Sequence, residues 1–377
     1  MLERPRVILL ISPQPWNASK VSKHHYAREL AIRGHTIYFI EPPGPMTRRP
    51  PRIVQGPYDT LFIVTYGTFF PYRLKFYARS IFEKLMRHQA RLLLTAIGRE
   101  PDIVWDFDNA YQYNDLRAFG STFKVFHPVD NLPIGTATSK HADVVFSNAQ
   151  RYIDRLKPPP RIARVIDHGL SEEFIAYARS VAEDPTAGGK CYTNKGDTPL
   201  IAYVGNLDRP GIDWATIEAA AKNAPGARIM MIGPYGRYGR GPPTSAFTCD
   251  NIEFTGPKTA DEILDIAHNV DVWLMAYDRH RDVDGGTNPH KLLEYLATGK
   301  IVVSNWAEAY AENDLLVMPP TPDNAPLPAL VADTLANLDK LNAPANRARR
   351  AAYTLGFSYA AHLKAIDATM DASRSAC

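Results

Sequence analysis

The chain has 377 residues, 45 % of them hydrophobic and 22 % charged, with a formal net charge of +3. This composition excludes disordered and fibrous proteins, and the length calls for two domains, because single cores stop growing near ~250–300 residues. Cys191, Cys249 and Cys377 are too few and too scattered for a disulfide framework or a zinc site, which points to a reducing cytoplasm.

In chain order, the first apolar run, 7–11, is stopped by Ser12-Pro13 and is too short for a signal-peptide core; no run reaches the ~18 residues of a membrane span. Strands are predicted at 6–11, 36–40, 61–65, 103–105, 124–127, 143–146 and 164–166. Helices are predicted between them at 20–33, 73–97, 109–119 and 149–156. Residues 46–100 hold ten basic residues against three acidic ones, a local excess that asks for an anionic partner. Residues 181–199, with Gly188-Gly189 and Asn194-Lys195-Gly196-Asp197, show no hydrophobic period and read as a linker.

The alternation then restarts. Strands are predicted at 200–204, 228–232, 252–254, 271–275, 301–304 and 315–317, helices at 214–222, 260–268, 289–298 and 327–341, and a helical tail at 345–372. The expected fold class is therefore α/β, with two Rossmann-like domains, 1–180 and 200–344, a linker at 181–199 and a tail at 345–377. Two such domains would face a central cleft, a favoured place for a ligand.

Several phosphate- and nucleophile-bearing motifs are missing. The first strand runs into Ser12-Pro13-Gln14-Pro15-Trp16, and the second half opens with Val204-Gly205-Asn206-Leu207-Asp208, so neither carries G-x-G-x-x-G. The chain also lacks a P-loop and a G-x-S-x-G elbow. The segment 285–303 is the most informative. Gly285-Gly286-Thr287 leads to Asn288, a good N-cap, then Pro289 at the first helical position, with Gly299 closing the helix. Its N-terminus would offer backbone N–H groups and partial positive charge to an anion, with Lys291 adding a full charge and Glu294 three residues on. A cation beside a diphosphate and a carboxylate accepting ribose hydroxyls would suit a sugar nucleotide. A capped helix with a solvated Lys291–Glu294 pair accounts for the same residues.

The run Pro289-His290-Lys291-Leu292-Leu293-Glu294-Tyr295-Leu296-Ala297-Thr298-Gly299-Lys300 resembles the P-x-K-x-x-E-Y-L-A-x-G-K signature of family-4-like GT-B glycosyltransferases. Ala202-Tyr203-Val204-Gly205-Asn206, Ile229-Met230-Met231-Ile232-Gly233-Pro234, Asn251-Ile252-Glu253-Phe254-Thr255-Gly256, and Ala142-Asp143-Val144-Val145-Phe146-Ser147 followed by Asp167-His168-Gly169-Leu170 resemble further segments of that group, in order. The resemblance covers most of 100–310. It implies an acceptor-binding N-terminal domain and a donor-binding C-terminal domain, with the tail helix crossing back to the first. Lys291 would contact the diphosphate and Glu294 the ribose. Gly205 and Asn206 would offer backbone N–H groups, and Tyr235 beyond Gly233 would stack on the base unless it is an ordinary surface tyrosine. Thr287, Asn288, His290 and Arg209 complete the expected donor set. No metal or other cofactor is expected, because Lys291 and the helix start would neutralise the leaving diphosphate.

Two departures leave the anomeric outcome open. Gly286 stands where retaining members carry an acid eight positions before Glu294, with Asp282 and Asp284 nearby, and Arg209 has no matching lysine. Asp130, past a strand end in His127-Pro128-Val129-Asp130-Asn131, is the candidate base that inversion needs; a turn-forming Asp-Asn pair is the alternative. Asp106 and Asp108 follow another strand, Asp108 reading as a helix cap. His24 and His25 are candidates for the acceptor face, and His168 reads as structural.

Residues 69–87 interleave aromatic and basic residues. Arg73, Lys75 and Arg79 would meet an anionic membrane surface, unless this is a solvated helix with one core face. The expected protein is a cytoplasmic glycosyltransferase, possible also at the inner face of the plasma membrane. It would take a nucleoside-diphosphate sugar and a glycan or lipid-linked acceptor, in bacterial surface polysaccharide synthesis, and bind no nucleic acid. A nucleotide-sugar 2-epimerase of the same architecture, a non-catalytic nucleotide-sugar or glycan binder and a membrane-surface scaffold are the alternatives.

Overall fold

The computed structural model describes residues 1–18, 20–108, 112–120, 122–129, 138–186, 198–236, 241–278, 280–281 and 288–375. The chain divides into two compact units, Met1–Asp167 with Tyr359–Cys377, and His168–Ser358.

The first unit is built on β1 Val7–Ile11, β2 Thr36–Ile40, β3 Arg52–Gln55, β4 Leu61–Thr65, β5 Ile103–Asp106, β6 Phe123–Phe126, β7 Val144–Ser147 and β8 Ala163–Val165. They form one sheet in the order β3-β4-β2-β1-β5-β6-β7-β8. All pairs are parallel except β3–β4. The central strands β1, β2 and β5 are buried almost throughout, as β-branched and aromatic runs covered on both faces must be. β3 was not expected from the sequence: Arg52-Ile53-Val54-Gln55 is short, partly exposed and stabilised by pairing at an edge. The predicted helix 109–119 is reduced, among the described residues, to a 3₁₀ turn at Leu116–Phe119, capped by the Asp115 carboxylate accepting from Arg117 N.

The second unit is built on β9 Leu200–Val204, β10 Arg228–Ile232, β11 Ile252–Gly256, β12 Val272–Met275 and β13 Ile301–Ser304. These form an all-parallel sheet in the doubly wound order β11-β10-β9-β12-β13. The predicted strand at 315–317 contributes only the single bridge Val303–Val317.

Both expected domain edges move. Residues 172–183, which fell largely within the expected first domain with no helix predicted there, form the helix Glu172–Glu183 and belong to the second unit. It buries Phe174, Ile175, Ala178 and Val181 there, a helical stripe that packs on the helix Pro344–Thr354. The predicted tail is two helices in two different units. Pro344–Thr354 buries Arg347, Arg350, Ala351 and Thr354 in the second, whereas Tyr359–Ser375 returns to the first, where Leu363, Ile366 and Met370 join its core. The helix 73–97 is also split, into Leu74–Tyr77 and Arg79–Ile97, by Ala78 with φ −142° and ψ 61°. Most of the predicted linker, 187–197, lies outside the described residues.

Candidate active site

In the second unit the strand order reverses between β9 and β12, the switch point where open parallel sheets bind ligands at the carboxyl ends of their strands. The two strands pair over only Val272–Ile201 and Trp273–Ala202. Their ends lead into two loops, one from Gly205 and one from Ala276.

The first loop is tied to the end of β10. Gly205 N donates to Ile232 O at 2.9 Å, Leu207 N to Pro234 O at 2.9 Å, and Gly236 N to Asp208 Oδ1 at 2.7 Å. The approach is so close that a Cβ on Gly233, whose φ is +151°, would sit 1.7 Å from Gly205 O. Glycine at 233 is thus a packing requirement as well as a conformational one. The Gly205 N–H expected to meet phosphate is already given to Ile232, and Asn206 turns its Oδ1 to Asp208 N at 3.1 Å. Arg209, half-buried, lies over the Tyr277 ring at 4.9 Å, and Tyr277 Oη is 3.2 Å from Tyr203 Oη.

The helix His290–Ala297 supplies the third wall. It starts one residue later than the sequence suggests: Pro289, with ψ 114°, is the N-cap, and Asn288 precedes it. Proline suits that place because its missing N–H costs nothing before the first turn. Leu292, Leu293, Tyr295, Leu296 and Ala297 anchor the helix in the core, and Gly299, with φ +76°, closes it. Tyr295 stacks on Trp273 at 4.5 Å, and its hydroxyl accepts from Val204 N at 2.7 Å, so the helix is keyed to the end of β9.

Lys291 and Glu294 therefore sit on a rigid support. Lys291 Nζ donates to Glu294 Oε2 at 2.5 Å, with 21 % and 19 % of the two side chains exposed. His290 Nε2 is 3.9 Å from Glu294 Oε1, and its ring lies 5.6 Å from that of His168. Desolvation, then the charges of Lys291, His168 and Arg209, hold the His290 imidazole well below its usual range. Its side chain keeps 56 % of its surface, so the charges of Lys291 and Arg209 carry that direction more than burial does.

Tyr235 is 41 % exposed and leans on Phe254 at 5.6 Å and Phe247 at 6.0 Å, forming an aromatic shelf beside the same loop. Thr287, Gly286, Asp282 and Asp284, and Asp130 in the first unit, lie outside the described residues. Sequence reasoning missed His168 and Tyr277 at this site.

 

His168 reads as a turn residue in Asp167-His168-Gly169 because no local pattern links it to a helix start at residue 290. For Tyr277, the one available signal was an aromatic residue just past the end of a buried strand.

The first unit treats its acceptor candidates differently. His24 is buried as a helix-start residue: its Nδ1 accepts from Val21 N at 3.2 Å, Nε2 is 3.2 Å from Pro15 O, and burial lowers its pKa to about 4. His25, half-buried, stacks on Tyr359 at 4.8 Å. Both rings are engaged in packing within this unit. Arg73 and Arg79 are exposed, Arg79 pairing with Glu83 at 3.2 Å, and Lys75 lies over Tyr72 at 4.7 Å. At the end of β5, Asp106 and Asp108 are 1 % and 5 % exposed. Asp106 Oδ1 accepts from Asp108 N at 2.8 Å, and Asp108 Oδ2 from Gln112 N at 2.5 Å. Burial, then the Asp108 charge, raises the Asp106 carboxyl well above its usual range.

No family model and no curated protein matches the chain. Solved structures do. Sucrose-phosphate synthase from Thermosynechococcus elongatus is similar with a TM-score of 0.67 at 13 % identity, over 99 % of this chain and 100 % of that one. The α,α-trehalose 6-phosphate synthase from Burkholderia multivorans gives 0.64 at 15 %, over 99 % and 100 %. HepE from Anabaena, in complex with UDP and glucose, gives 0.59 at 12 %, over 97 % and 99 %. The chain has the GT-B fold. Within that fold the second unit carries the basic cluster of His290, Lys291 and Arg209. The return of the helix Tyr359–Ser375 to the first unit agrees with the expected crossing. Among the described residues no helix is long and apolar enough to cross a membrane.

Proposed function

We propose that this chain is a glycosyltransferase that moves a sugar from a nucleoside diphosphate to a hydroxyl of a glycan or lipid-linked glycan acceptor. The observation that carries the proposal is the meeting of Lys291, His290, Glu294 and Arg209 at the switch point of the second unit. A diphosphate is the anion such a group suits, with Tyr235 beside it for the base. In the free protein Lys291 is held by Glu294; on binding, Lys291 would turn to the diphosphate and Glu294 to the ribose hydroxyls. As the acceptor oxygen bonds to the anomeric carbon, the bond from that carbon to the diphosphate breaks. Lys291, Arg209 and the helix start take up the charge of the leaving group, so the proposal includes no divalent cation.

The proton of the acceptor hydroxyl must go to a base, and Asp130 is the residue proposed for it. Asp130→Asn should lower turnover by about 10²-fold or more with donor binding kept; full activity would remove Asp130 from this role. A setting in surface polysaccharide synthesis at the cytoplasmic face of a membrane remains part of the proposal. It is supported by Phe76, Tyr77 and Ile81, which are 72 %, 85 % and 56 % exposed among the basic side chains Arg73, Lys75 and Arg79. Thermal-shift screening of UDP-, GDP- and ADP-sugars tests the donor class. A ligand at 100 times its Kd should stabilise the fold by ~2.7 kcal/mol, and no shift with any of them would reject a sugar-nucleotide donor.

A further inference from the structure

Three segments of the second unit bring four nitrogen-bearing side chains together. His168 comes from the start of the unit, Arg209 from the loop after β9, and His290 and Lys291 from the first turn of the helix His290–Ala297. The two imidazole rings lie 5.6 Å apart at 53°, and Arg209 is held over Tyr277. Glu294 faces His290 at 3.9 Å and Lys291 at 2.5 Å, and Asp208, beside Arg209, accepts from Gly236 N.

We propose that His168 is a ligand of the donor's diphosphate, acting with His290, Lys291 and Arg209. The inference rests on the sugar-nucleotide reading of this site and adds a residue to it. No covalent bond changes on binding; an imidazole of the pair takes a proton from solvent as the anion enters. Gathered cations disfavour a protonated imidazole in the free protein, and the lowered pKa of His290 has that sign. A diphosphate reverses the local field, so the proton affinity of the pair rises on binding. By linkage, donor affinity then grows as pH falls from the raised pKa of the bound state towards the lower pKa of the free state.

Titration calorimetry of the full chain with UDP, GDP, ADP and inorganic pyrophosphate at pH 6 and pH 8 tests this. The ligands' own titration is common to every protein compared. His168→Gln keeps a donor N–H but cannot take a proton. It should match the wild type within about threefold at pH 8 and bind about tenfold more weakly at pH 6. His168→Lys, charged at both pH values, should hold at pH 8 the affinity that the wild type shows at pH 6. Equal affinities for wild type and both variants at both pH values would overturn the inference. If Lys291→Ala still weakens binding in that case, the donor-site reading stands. If none of the four ligands binds the wild type at either pH, the donor-site reading fails and takes this inference with it.

Discussion

The two units solve the same problem, a parallel sheet with a switch point, with opposite electrostatics at the strand ends. In the second unit Arg209, His290 and Lys291 are half-buried or exposed, and Glu294 pairs with the last two. In the first, Asp106 and Asp108 are buried at the end of β5 and accept backbone N–H groups of their own loop. The first unit's positive charge is elsewhere: Arg79–Ile97 buries Phe82, Met86, Ala90, Leu93 and Ile97 and leaves Lys84, Arg87 and Arg91 exposed. A net charge of +3 therefore conceals a basic cluster in one unit and a basic helix face in the other.

The largest test of that contrast removes the cluster's ammonium group, that of Lys291. Lys291→Ala should reduce turnover by about 10²–10³-fold, the scale of losing one preorganised charge-stabilising group, with the melting temperature changed little. Near-normal sugar transfer would erase the distinction between the units. A smaller effect is expected on the outer face. Phe76→Ser with Tyr77→Ser should weaken sedimentation with anionic-lipid vesicles by roughly tenfold while leaving nucleotide binding intact. Equal sedimentation of variant and wild type would return residues 69–87 to an ordinary solvated face.

The smallest effect concerns Asp106. Its folded pKa is raised, so the folded state binds a proton that the unfolded state releases above the ordinary carboxylate value of 3.8. The wild type therefore loses stability as pH rises from there towards the raised value. Asp106→Asn, which resembles the protonated carboxyl, should stabilise the fold at pH 7 relative to the wild type and flatten that pH slope. Denaturant titrations across pH 4–8 would read it, and an unchanged slope would place the buried acid elsewhere.

Much of the fold was legible because buried β-branched runs and amphipathic stripes are local signals. The bounds of β2, β4, β9, β10 and β13 follow the sequence patterns residue for residue. β3 escaped because an exposed edge strand needs no apolar run, and its partner β4 supplies the stabilisation. The domain edges escaped for a related reason. The helix Glu172–Glu183 has a clear apolar stripe, but a stripe does not say which core receives it. The same limit hid His168: the sequence singled out Lys291 and Glu294 three residues apart on one helix, whereas the imidazole contact joins residues far apart in the chain.

By itself, then, the sequence determined the alternation of strands and helices, the helix carrying Lys291 and Glu294, and its closure at Gly299, since each depends on neighbours within a turn or two. Tertiary structure alone decided that Gly205 N–H is spent on Ile232, that His24 is buried, and that His168 and Arg209 meet the start of that helix. Those outcomes depend on which surfaces pack together and on which polar groups that packing satisfies, and neither quantity is local.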